Sequence, residues 1–160
     1  MIRKDKKMIS SELKIGRTFG IRFEHGKDFM TELEEFCSVN NVKQGYVPFF
    51  SGDFIEITIV GTCNKTEHPE APMLNSPAYF ENVESFGCGT IAYNKETGKI
   101  LPHFHISIGS RLSSATAHTS HFIGGKVQFL IEMILVEVLS PSMERITDED
   151  VFNLKLLDFI

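Results

Sequence analysis

A chain of 160 residues with 42% apolar and 23% charged residues has the size and balance of one globular domain with its own core. A net charge of −5 argues against a surface built to neutralise phosphates, because nucleic-acid binding rests mainly on Lys and Arg contacts. Three scattered cysteines (Cys37, Cys63, Cys88) with no CxxC pair argue against a disulfide framework or a thiolate zinc site and fit a reducing cytoplasm.

The N-terminal stretch MIRKDKKMISSELK is basic, lacks an apolar core and does not read as a signal peptide. Residues 1–13 are expected to be a flexible basic arm and 14–160 a single domain. Residues 14–26, KIGRTFGIRFEHG, alternate as a strand, with Phe19, Ile21 and Phe23 on one face. Residues 27–41 change to helical spacing: Phe29, Leu33, Phe36 and Cys37 form an apolar stripe, and Asp28 suits the N-terminal cap. Residues 44–61 read as strand, bend, strand, with Gly45, Pro48 and Ser51-Gly52-Asp53 at the breaks. Pro69, Pro72 and Pro77 make 62–78 a long loop. Strands resume over 79–94, and 94–99 is a hairpin turn. Residues 126–139, KVQFLIEMILVEVL, are apolar on both faces and read as a central strand or a subunit interface. A short strand near 153–159 ends the chain. No apolar run reaches the roughly 18 residues of a membrane span.

The segment LPHFHISIGS, 101–110, carries the chemistry. In a strand, His103, His105 and Ser107 share one face, and Phe104, Ile106 and Ile108 share the other. Side chains two apart on one face have Cβ atoms roughly 6–7 Å apart, close enough for two imidazoles to converge on one ion. A third histidine, His118 or His121, follows after a polar loop. Three imidazoles would leave a fourth coordination position for water or substrate, as catalytic zinc sites do. Such donors suit zinc, and also nickel, copper or iron. Against this, HxH pairs are common on wet sheet faces. His25 and His68 sit in turns and read as solvated. Glu132 interrupts FLIEMIL, where a buried carboxylate must be paired or protonated. It reads either as a general acid/base or partner of a histidine ligand, or as a structural hydrogen-bond acceptor. Arg111, at the turn after the histidine strand, could clamp an anionic substrate or simply be an exposed loop arginine. The glycines of GCGT (87–90) and IGGK (123–126) fit neither a P-loop nor a Rossmann pattern, and no catalytic triad can be assembled.

With these residues in view, the chain resembles the PPC (plants and prokaryotes conserved) domain family over about residues 14–139. The similarity rests on GRTFGIRFEHGKDFMTELEEFCSVNNVKQGYV, GCGTIAYNKETGKILPHFHISIG and SHFIGGKVQFLIEM. It implies His121 as the third histidine, Glu132 as the matching acid and Gly125 as the matching glycine. The chain departs from the family pattern at Thr119-Ser120, where Gly-Gly is usual. The resemblance implies an α+β fold, an antiparallel, partly closed sheet around one main α-helix, and a homotrimer. It also implies fold similarity to acetolactate decarboxylase, a three-histidine zinc enzyme. Plant members couple the domain to AT-hook motifs, whose Arg-Gly-Arg-Pro core is absent here. Three functions follow as expectations. The first is a trimeric metal-binding module on His103, His105 and His121 with a regulatory or small-anion-binding role. The second is a metal-dependent lyase or hydrolase using Glu132 and Arg111. The third and weakest is DNA binding through the basic arm.

Overall fold

The computed structural model of the protein describes residues 8–62, 65, 67–70, 76–110 and 116–160. In chain order the elements are β1 (Lys14–Glu24), α1 (Phe29–Val39), β2 (Gly45–Val60), β3 (Ala78–Asn94), β4 (Lys99–Ser110), β5 (Ala117–Ser140), β6 (Met143–Asp148), a 3-10 turn at Glu149–Val151, and β7 (Leu154–Phe159). Every strand pairing is antiparallel.

β5 organises the sheet. Its second half runs between β1 and β2, with Phe23 and Gly52 both opposite Ile131. Its first half keeps β2 on one edge and takes β4 on the other, from His105 opposite His121 to Gly109 opposite Ala117. That last pairing closes the order β1-β5-β2-β3-β4 upon itself. β2, β3, β4 and the first half of β5 therefore form a closed four-stranded barrel, which leaves no free edge within the ring.

The closed barrel corrects the expected α+β fold wrapped around a main helix. Among the described residues the only α-helix has 11 residues, and strands dominate. The error traces to residues 117–125. Their polar side chains read as a loop before a strand at 126–139, yet they form the first half of β5, with Thr119 outside and Phe122 buried. An outer barrel face is wet, so a strand there loses the apolar signal on that face. Residues 44–61 likewise form one strand, and the expected bends survive as a register shift between Val47 and Phe50 and a positive φ of 142° at Gly52. β6, unforeseen, pairs with the expected last strand.

The core explains the abundance of phenylalanine. Asp28 caps α1, accepting a hydrogen bond from the Thr31 amide at 2.8 Å, and Phe29, Leu33 and Cys37 face inward. Phe29 is fully buried among Phe23, Phe50, Phe54, Phe104 and Phe122, with ring centroids 4.6–6.1 Å away. It joins helix to barrel. Phe29→Ala should cost about 3–5 kcal/mol, measured by denaturant unfolding, because a ring-sized cavity is left among side chains that cannot collapse into it. A loss below about 1 kcal/mol would mean that the helix is not docked in this way.

A second anchor joins β1 to β5. Glu137 is buried, and both its oxygens accept from Arg17, from Nε and from Nη2 at 2.7 Å each. The Arg17 guanidinium holds the Glu137 carboxyl below the usual carboxylate range. A depressed acid stabilises the fold above its unfolded-state value, and that contribution is lost as pH falls through the folded one. The stability gap between the natural chain and Glu137→Gln should therefore be full at neutral pH and shrink on acidification. A gap independent of pH would contradict this pairing.

Candidate metal centre

β4 sets the geometry. Phe104, Ile106 and Ile108 are buried in the barrel, so His103 and His105 must face outward. Barrel closure then places His121 directly opposite His105, on the same outer face. The three rings meet: centroids lie 5.2 Å apart for His103–His105, 4.8 Å for His103–His121 and 5.6 Å for His105–His121. Their ligand nitrogens all lie within 4.8 Å of one another. A tetrahedral ion with Zn–N bonds of about 2.0–2.1 Å needs nitrogens about 3.3–3.4 Å apart, a closure within reach of small side-chain rotations.

His118 falls elsewhere. It pairs with the inward Ile108 and packs on the Phe80 ring at 4.7 Å, on the opposite face of β5 from His121. Thr119 and Ser120 fix the strand beside the site. The Thr119 hydroxyl donates to Ser107 Oγ at 3.0 Å across the β4–β5 pair, and the Ser120 hydroxyl donates to the Val60 carbonyl on β2.

Two glycines let the histidine strand approach. A Cβ at Gly89 would lie 2.1 Å from the His103 carbonyl oxygen and 2.5 Å from the Phe104 ring, and one at Gly87 would lie 2.3 Å from Phe50. The glycines of GCGT thus serve packing. Between them Cys88 is exposed and lies directly opposite His105, and Thr90 lies opposite His103.

A residue with no sequence signal lies beside the histidines. Arg145 on β6 is half-buried, and its Nη2 donates to Thr90 Oγ1 at 2.9 Å. β6 is placed by the buried Gln44, whose Oε1 accepts from the Met143 amide at 2.7 Å and whose Nε2 donates to the Val138 and Pro141 carbonyls. Glu144 pairs with Lys95 on the hairpin. Arg145 sits within a run of charges, MERITDED, that reads as solvated surface, so only the fold could find it.

The electrostatics follow from this crowding. His103 keeps an exposed face, yet displacement of water around its ring, then the charge of Arg145 and the neighbouring imidazoles, lowers its pKa to about 4. His121 is lowered by burial first, then by His105 and Arg145. Both shifts, at His103 and His121, favour the neutral form that metal ligation requires. His121 Nδ1 and Arg145 Nε are the two buried side-chain N or O atoms without a hydrogen-bond partner among the described residues. Three converging imidazoles and an orphaned ring nitrogen fit a divalent ion.

The other expected residues are not brought here. Glu132 is exposed, opposite Arg22 on β1 and Ser51 on β2, and lies outside the histidine group. The buried carboxylate of that strand is Glu137. Arg111 lies outside the described residues, as do Cys63 and the arm at 1–7. Cys37 is buried, which pushes its thiol up to about 12 and makes it inert.

The family model of the Plants and Prokaryotes Conserved (PCC) domain matches residues 10–139. No curated protein sequence matches. Among solved structures, a plant- and prokaryote-conserved protein from Pyrococcus horikoshii aligns with TM-score 0.78 at 19% identity, over 96% of this chain and 99% of that one. A metal-containing protein from Archaeoglobus fulgidus aligns with TM-score 0.75 at 19% identity, over 94% and 99%. A protein from Bacteroides thetaiotaomicron, provisionally described as DNA-binding, aligns with TM-score 0.74 at 22% identity, over 91% and 94%. These likenesses establish the fold. No helix among the described residues is long and apolar enough to cross a membrane.

Gly89→Ala tests how the site is supported. The added methyl must push β4 at His103, so thermal stability should fall and affinity for a probe ion such as Co²⁺ should weaken. Unchanged values for both would show that the close approach of β3 to β4 does not position the histidines.

Proposed function

Because the chain belongs to the Plants and Prokaryotes Conserved domain family, we propose that it is a homotrimeric metal-binding module that holds a divalent ion, zinc first, on His103, His105 and His121. The observation that carries the reading is the meeting of these three imidazoles on one outward face, made by the β4–β5 closure. The metal-containing description of the Archaeoglobus protein supports it. When bound, the ion would supply a Lewis acid with a coordination position left over for a small ligand. The role that suits such a site is regulatory or ligand-binding. The trimer draws support from the apolar surface along β5 and β1, where Phe129, Leu130, Leu139 and Ile15 remain exposed. Free thiols at Cys37 and Cys88 suit a reducing cytoplasm.

The enzyme alternative, a metal-dependent lyase or hydrolase on a small acid, has less behind it. Glu132 lies on the half of β5 between β1 and β2, outside the histidine group, so it is not placed to move protons there. The DNA-binding alternative draws on the descriptions of the Bacteroides structure and of a similar one from Ralstonia eutropha. A chain of charge −5 without an AT-hook core opposes it.

Elemental analysis of untagged protein, combined with sedimentation, tests the proposal. The expected result is one ion per chain in a particle of three chains. His103→Ala with His105→Ala should abolish the metal while β-sheet circular dichroism is retained. Protein without stoichiometric metal, or a double variant that keeps it, would refute the reading.

A further inference from the structure

The three histidines account for one of the two orphaned nitrogens at this site, and Arg145 Nε is the other. Arg145 makes one side-chain hydrogen bond, to Thr90, and no carboxylate pairs with it among the described residues. The other two described arginines are paired, Arg17 with Glu137 and Arg22 with Glu24. A guanidinium with a buried, unpartnered Nε carries a desolvation cost that a bound anion would relieve. Its position is equally informative. Thr90 stands directly opposite His103, so Arg145, held on Thr90, flanks the imidazole group. Desolvation without a nearby acid also shows in Arg145 itself, whose pKa is lowered by burial alone.

Charge balance points the same way. Imidazoles ligate as neutral groups, so a divalent ion on three of them keeps its full charge. Arg145 adds another positive charge beside it. The Thr90 hydroxyl, which accepts from Arg145, still has its own hydrogen to donate. An ion with a vacant coordination position, a guanidinium and a hydroxyl thus surround one spot. We infer that this spot binds a small oxyanion, carboxylate or phosphate, with one oxygen on the ion held by the histidines and another on Arg145. The inference rests on the metal reading above and assigns its ligand class. It also gives Arg145, from outside the matched family segment 10–139, the part that Arg111 was expected to play.

The test uses the full chain loaded with Co²⁺, whose visible absorption reports its coordination. Acetate and phosphate are titrated separately, with chloride as an anion that offers no second oxygen to Arg145. In the natural chain at least one oxyanion should shift the spectrum saturably. Arg145→Met should take up Co²⁺ with the same stoichiometry and bind that oxyanion about tenfold or more weakly, as expected for a lost charge-assisted contact. Arg145→Lys should restore part of the affinity, and Arg145→Met should weaken chloride binding less than binding of the oxyanion. Thr90→Val, which leaves the guanidinium in place but unanchored, should weaken binding less and guards against a misfolded Met variant. Normal Co²⁺ uptake with equal oxyanion affinity in all four proteins would overturn the inference alone. A natural chain that takes up no Co²⁺ would overturn the metal reading, and this inference with it.

Discussion

The structure depends on strand alternation at one point. Phe104 is fully buried in the barrel beneath Phe29 and Phe50, and His103 and His105 on either side of it are turned to the outer face. Core and site are therefore one decision. The aromatic packing that fixes Phe104 also fixes the direction of both histidines. A slip of one residue in β4 would bury imidazoles and expose three apolar side chains. The apolar cost of that slip is what holds the site in register.

Closure supplies the third imidazole. β4 and β5 pair over only a few residues, and His105–His121 is one of those pairs. Without this seam the fold would be an open sheet with two histidines on an edge strand. The seam is supported from both sides: Thr119 bonds to Ser107 across it, and Ser120 ties β5 to β2. Both hydrogen bonds come from side chains of the strand that carries His121. The fourth component comes from the C-terminal ribbon, held through Gln44, Lys95 and Thr90.

Much of this was legible in the sequence where one face of an element is dry. The alternation of LPHFHISIGS gave the outward histidines, and the stripe Phe29, Leu33, Cys37 gave the helix with its Asp28 cap. The choice of His121 over His118 came from resemblance, and the opposite facing of the two residues gives it a physical basis. What failed to read were features set by tertiary contact. The polar start of β5 resembled a loop because its outer face is wet. Glu132 drew attention as the charge inside FLIEMIL, yet it points to solvent, and the buried acid is Glu137, which the sequence pattern does not single out. Arg145 gave no local sign because its meaning lies in Thr90, far away in sequence.

The most direct test of the account is X-ray absorption at the metal edge of zinc-loaded protein. The account predicts a first shell of nitrogen and oxygen at about 2.0–2.1 Å with the outer-shell scattering of three imidazoles. One imidazole's worth should be lost in His121→Ala. A sulfur scatterer at about 2.3 Å, or a shell of oxygen alone, would place the ion somewhere other than the meeting point of β4 and β5 and would contradict it.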